Sequence, residues 1–145
     1  MTPDEFDPTT ELDPTDVLDP SIKYFIKAAM GRKARDLVIL DLRALTSFTD
    51  VFLICSGKSN RQVTAIAEHI KEDLKENGIA PIGIEGLKEG HWVLLDYGHI
   101  LVHVFLESVR EFYDLEAFWS NAERIAVDDY VDMTEADENN GAAES

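Results

Sequence analysis

The sequence predicts a single α/β domain with a mixed, mostly five-stranded sheet and helices packed on it. Three observations carry this. Short apolar runs at Leu37 to Leu42 and Val51 to Cys55 have the length and composition of buried strands. A punctuated amphipathic helix follows the second run. Alternating segments on either side of Tyr97-Gly98 then form a hairpin.

The elements follow in order. Phe6-Asp7-Pro8-Thr9, Leu12-Asp13-Pro14-Thr15 and Leu18-Asp19-Pro20-Ser21 repeat a short phrase. The residue before each proline is driven out of helical geometry, which predicts an extended arm. At the third repeat Asp19 can act as N-cap with Pro20 at the first helical position. Ile22, Phe25, Ile26 and Ala29 then fall on one face of a helix ending near Lys33. The strand Leu37 to Leu42, a connection over Arg43 to Asp50 and the strand Val51 to Cys55 come next.

Ser59 and Gln62 form a capping box for the following helix, whose stripe is Val63, Ile66, Ile70 and Leu74. Gly78 suits the left-handed position after it, with Ile79 folding back on Leu74. Pro81 to Glu85 is a short third strand. Trp92 to Asp96 and His99 to Leu106 complete the sheet. Val109 to Trp119 is a last helix, or two divided at Asp114. The expected order is α-β-β-α-β-β-β-α, with a crossover helix that permits parallel pairing.

The chain has 145 residues and a formal charge of −16. Residues 1–19 hold seven acids and no base, residues 20–119 fourteen acids and twelve bases, and residues 120–145 eight acids and one base. The expected division is an acidic, disordered arm over 1–19, a near-neutral domain over 20–119 and an acidic, mostly disordered tail over 120–145. Such flanks repel phosphate backbones and anionic membranes and favour a basic protein surface. With no basic leader, signal peptide or membrane span, the expectation is a soluble, cytoplasmic protein. The single cysteine, Cys55, sits in an apolar run and is expected to be a buried thiol.

A two-residue turn at Tyr97-Gly98 pairs Asp96 with His99, Leu94 with Leu101 and Trp92 with His103. Alternation then places Val93, Leu95, Ile100, Val102, Val104 and Leu106 on the core side. Trp92, Leu94, Asp96, His99, Leu101, His103 and Phe105 share the other side. That second face is aromatic and partly polar. Either a helix covers it, or it is a protein-binding patch.

Few residues point to catalysis. Gly57-Lys58-Ser59 lies where a phosphate loop would sit, but Phe52 occupies the place of the earlier glycine. His99 and His103 lie on a strand, roughly 13 Å apart, too far to share one zinc. Asp41, Glu85 and Asp96 each stand alone on their strands, without the paired carboxylates of two-metal phosphoryl transfer. No motif asks for a metal or cofactor.

Taken together, Leu40-Asp41-Leu42-Arg43, Phe48-Thr49-Asp50, Ile54-Cys55-Ser56-Gly57-Lys58-Ser59-Asn60-Arg61-Gln62, Gly83-Ile84-Glu85-Gly86-Leu87, Trp92-Val93-Leu94-Leu95-Asp96-Tyr97-Gly98, His103-Val104-Phe105 and Arg110-Glu111-Phe112-Tyr113-Asp114-Leu115-Glu116 resemble the Iojap-like ribosomal silencing factors. The resemblance spans roughly Ser21 to Trp119. It implies a nucleotidyltransferase-like fold without enzymatic activity. It also implies binding to the fourteenth protein of the large ribosomal subunit, which blocks small-subunit joining and represses translation when nutrients are short. On this resemblance Trp92, Leu94, Asp96, Tyr97 and His103 are expected to form the partner surface, with Asp96 pairing a partner lysine or arginine. The sequence departs from the pattern at His99, where relatives commonly carry an acid. An exposed Trp92 face also allows a homodimer of the free chain. The competing expectations are a nucleotide-binding or nucleotidyltransferase-like enzyme using Gly57-Lys58-Ser59, and an acidic mimic that binds basic proteins through its tails.

Overall fold

The strand β2 (Val51–Gly57) is buried along its whole length and forms the middle of the sheet. Its run of apolar residues leaves it no stable place at an edge. In the computed structural model, which describes residues 19–127, ten elements surround and include it. They are α1 (Ile22–Met30), β1 (Arg35–Asp41), β2, α2 (Asn60–Glu76), β3 (Gly83–Glu85), β4 (Trp92–Asp96), β5 (Ile100–Leu106), α3 (Glu107–Tyr113), α4 (Leu115–Phe118) and β6 (Glu123–Ile125). The sheet order is β3-β4-β5-β2-β1-β6. Only β2 and β5 pair in parallel; every other neighbour is antiparallel.

The mixed α/β class is as expected, but the sheet has six strands rather than five. The sixth, β6, lies past residue 119 and pairs Ile125 with Ile39 and Glu123 with Asp41. Two of its three residues are charged, so it has no apolar alternation to announce it. The backbone groups of the β1 edge select it instead. The acidic arm as far as residue 18 and the tail from residue 128 lie outside the described residues.

Local chemistry explains the helix starts. Asp19 Oδ1 accepts the Ser21 N–H at 2.8 Å and Asp19 C=O accepts from Ile22, which closes the turn leading into α1; Ser21, the residue before the helix, makes no side-chain cap bond. Ser59 Oγ accepts the Gln62 N–H at 3.1 Å. Gln62 Oε1 in return takes the Lys58 N–H at 2.7 Å, one residue earlier than a standard capping box. The α2 stripe of Val63, Ile66, Ile70 and Leu74 is fully buried. At its far end Ile79 N–H reaches Leu74 C=O and Gly78 N–H reaches Lys75 C=O, the paired bonds of a left-handed helix stop.

The hairpin register differs from the expected one. Trp92 faces Phe105, Leu94 faces His103 and Asp96 faces Leu101. Gly98 adopts φ 83° and so takes the first central position of the turn, which moves to Gly98-His99. Asp96 Oδ1 holds it by accepting the Gly98 N–H at 2.8 Å. The partner of each β4 residue shifts by two, an even number, so the assignment of residues to faces survives for the strands. His99 does not follow. It leaves the ladder and turns to α1, where its Nε2 lies 3.2 Å from Ser21 Oγ and its ring meets Phe25 edge-on.

Candidate functional site: a half-covered sheet face

The two sheet faces are covered unequally. On one, α1 and α2 pack Phe25, Ile26, Ile66 and Ile70 against Leu53, Val93, Leu95, Val102 and Val104, all fully buried. On the other, the short helices α3 and α4 and the turn after them bring Val109, Leu115, Trp119 and Ala122 over Leu40, Leu42, Phe52, Ile54 and Phe105. This second cover lies over β1, β2 and part of β5. Over β4 it leaves Trp92, Leu94 and Asp96 half-buried, with Leu101 beside them on β5.

A partly buried ion pair holds that cover down. Arg110 Nε donates to Glu116 Oε1 at 2.7 Å, and Arg110 Nη1 donates to Ser56 Oγ at 2.7 Å. Arg110 on α3 therefore ties α4 to the end of β2. Asp114 between the helices takes φ 46°, the left-handed turn that lets α4 fold back. A cavity of about 420 Å³ adjoins this clamp, lined by Ser56 and Arg110 among several acids.

Trp92 is the centre of the open area. Its indole packs between Phe105, at a centroid distance of 4.7 Å, and Tyr113 at 5.1 Å. Its Nε1–H donates to His103 Nδ1 at 3.1 Å. Exposed aromatics continue outward from it, with Tyr113 56 % and Phe112 81 % exposed. On the same sheet face Leu94 follows two residues along β4, opposite His103, and Asp96 stands at the far end of the strand, opposite Leu101. The result is an apolar patch with an acid at its margin.

The structure places Trp92, Leu94 and Asp96 along one face of β4 with His103 opposite Leu94, and places Tyr97 elsewhere. His103 is on the predicted face but beneath its surface, only 5 % exposed. Its ring lies 4.5 Å from that of Phe52, and burial pushes its pKa down to about 4. Tyr97 continues the alternation of Val93 and Leu95, so it points to α1 and meets Phe25 edge-on at 4.9 Å. Its hydroxyl is buried without a hydrogen-bond partner among the described residues, and burial raises its pKa to about 12. The sequence-derived site lacked Leu101, Phe105 and Tyr113. Leu101 and Phe105 were legible as members of the face, but Tyr113 reaches it only through the fold of α3.

The loop Gly57-Lys58-Ser59 has other work. Two donors that an anion would use, the N–H groups of Lys58 and Gln62, are taken by capping side chains. A Cβ at Gly57 would stand 3.1 Å from both Val63 Cγ2 and its backbone N, so the strand end and helix start pack closely there. Cys55 is fully buried, and burial pushes its thiol up to about 12, far from a reactive thiolate. Asp41 is held by Arg43, whose guanidinium hydrogen bonds keep the carboxyl below its usual range.

The family model described as ribosomal silencing factor during starvation (RsfS) matches residues 15–145. The chain belongs to the RsfS family. A ribosomal silencing factor of Bacillus subtilis is 42 % identical over 101 residues, covering 70 % of this chain and 86 % of its own. A crystal structure of a Chromobacterium violaceum protein has a TM-score of 0.67 at 42 % identity, covering 68 % of this chain and 82 % of that one. Farther away, a mouse protein named for mitochondrial assembly of the large ribosomal subunit is 31 % identical over 90 residues, covering 60 % of this chain and 40 % of its own. Membership makes the chain a ribosome-directed regulatory factor. Among the described residues no helix is long and apolar enough to cross a membrane.

Proposed function

We propose that this chain binds the large ribosomal subunit through its fourteenth protein and prevents the small subunit from joining, which represses translation when nutrients are limiting. The observation that carries this reading is the open half of the second sheet face, in a chain that belongs to a silencing-factor family. Trp92 and Leu94 supply apolar area, and Asp96 supplies a charge for a basic group on the partner. Large aromatic anchors beside a few directed polar groups are the composition of protein interfaces. The near-neutral domain also suits a protein partner better than bare RNA, whose binding needs basic groups to release counterions.

In this reading Trp92, Leu94 and Asp96 touch the partner directly. Tyr97 and His103, which lie below the surface, contribute by shaping it. In the free state the same patch gives the chain a route to a homodimer, in competition with the ribosome.

The test is co-sedimentation of the purified chain with separated subunits, followed by a subunit-joining assay. Binding to the large subunit alone, with fewer joined ribosomes, is the expected result. Binding to neither subunit, or to both alike, would refute the reading. Crosslinks from position 92 that miss the fourteenth protein would refute the choice of partner.

A further inference from the structure

We propose that His103 is a positioning residue for the docking face, which fixes the orientation of the Trp92 indole without touching the partner. This rests on the reading of Trp92 as the anchor for a ribosomal partner.

The geometry begins with the hairpin register. Trp92 stands opposite Phe105, so His103 is its diagonal neighbour on the same face, within reach of a long side chain. The indole has one polar group, a donor, and it is directed at His103 Nδ1 across 3.1 Å. For Nδ1 to accept, the imidazole must be neutral with its proton on Nε2. The surroundings impose that state. The ring is buried against Phe52, stacks at 6.0 Å on Phe105, and among the described residues meets no carboxylate that would favour its protonation.

Two consequences follow for Trp92. The hydrogen bond selects one rotamer from those the half-buried site allows. It also occupies the only donor of the ring, so the surface offered to a partner is apolar. An anchor already held in place loses less conformational freedom on binding than one that must be ordered.

Stability alone does not account for a histidine here. His103 Nε2 is buried and has no hydrogen-bond partner among the described residues. An unsatisfied buried donor is a standing penalty that an aliphatic side chain at the same place would avoid. The imidazole is retained against that penalty, and the use the structure shows for it is the acceptor at Nδ1.

The test uses the full chain with ¹⁵N-labelled indoles, the Trp92 signal being assigned by its loss in Trp92→Phe. In the unaltered protein the Trp92 indole N–H should be slow to exchange with solvent. His103→Leu removes the acceptor and should abolish that protection. It should also weaken large-subunit binding by about tenfold through lost preorganisation. His103→Asn, whose Oδ1 takes the place of Nδ1, should restore most of both. In a Trp92→Phe background, which has no donor, His103→Leu should cause no additional loss of binding. If His103→Leu does not fold, His103→Ile serves the same purpose.

Undiminished indole protection in His103→Leu would overturn the proposal. So would an equal loss of binding in the Trp92→Phe background. If the unaltered chain fails to bind the large subunit while the indole responds as described, the ribosomal reading is what fails, and the positioning role stands on the indole signal.

Discussion

Val93, Leu95, Val102 and Val104 are fully buried, whereas Trp92, Leu94 and Leu101, alternate residues of the same two strands, stay half in water. The difference is one of cover. Helix α2 has 17 residues and so extends about 25 Å. It packs on β2, β5 and β4. With α1 beside it, α2 can close one face. Helices α3 and α4 have 7 and 4 residues, or roughly 10 Å and 6 Å. They close the β1-β2 side of the other face and reach β4 only where Tyr113 meets Trp92. The site is therefore what remains of an apolar face when its cover is too short.

If that contrast is right, the two faces should fail differently when altered. The largest effect belongs to the closed face. Ile66 is fully buried beneath the sheet, and Ile66→Ala should lower stability by about 2–5 kcal/mol. Urea unfolding measures the loss, and binding per folded molecule should be unchanged. A variant that folds normally but no longer binds the large subunit would break the division of labour between the faces.

His103 sharpens the comparison because it is a titratable group buried on the open side. Its ordinary pKa of 6.5 falls to about 4 in the folded chain. Between those values the unfolded chain binds a proton that the native chain does not. Stability therefore rises with pH through that window and is lost as pH falls from about 6.5 toward about 4. The full effect is up to about 3 kcal/mol. Asp19 and Asp41, whose carboxyls are lowered by hydrogen bonds from Ser21 and Arg43, lose their contribution only from about 3.8 downward, below this window. Urea midpoints between pH 4.5 and 7 should slope upward in the unaltered chain and flatten in His103→Asn. Parallel slopes would mean the imidazole is not buried as described.

On the open face itself the effect should appear in binding. Trp92→Ala should weaken large-subunit binding by at least about 2 kcal/mol if the indole is the anchor. Asp96→Asn should act chiefly on the association rate and its salt dependence, as expected of a charge at the rim. A titration at two salt concentrations separates the two. Trp92→Ala with unimpaired binding would move the site elsewhere on the chain.

Much of this contrast was legible in the sequence, for identifiable reasons. The closed face announced itself because Val63, Ile66, Ile70 and Leu74 keep helical spacing between two clear punctuation points, Ser59 and Gly78. The open face was legible because strand alternation survives a register error of two residues. The register itself was not legible. Tyr97-Gly98 and Gly98-His99 are both acceptable turns on paper, and the choice between them rests on φ at Gly98 and the Asp96 carboxylate beneath it. The same ambiguity hid the side chains at the turn. Strand alternation alone would put His99 on the open face, but it meets α1, and Tyr97 points inward with Val93 and Leu95. The clamp of Arg110, Glu116 and Ser56 joins residues from three elements, so no local pattern contains it. Strand β6 has three residues, too few to show a period.

The smallest effect tests the inward placement of Tyr97. Its ring packs on Phe25, but its hydroxyl is buried without a partner among the described residues. Tyr97→Phe keeps the edge-to-face contact and removes the unsatisfied group. The variant should be as stable as the unaltered chain, or more stable by up to about 1 kcal/mol. Because the hydroxyl points toward α1 and not toward the open face, large-subunit binding should not change. Thermal unfolding and the binding titration read the two halves. A loss of affinity with stability intact would show the hydroxyl reaching the partner, and would move the edge of the docking face from Asp96 into the turn.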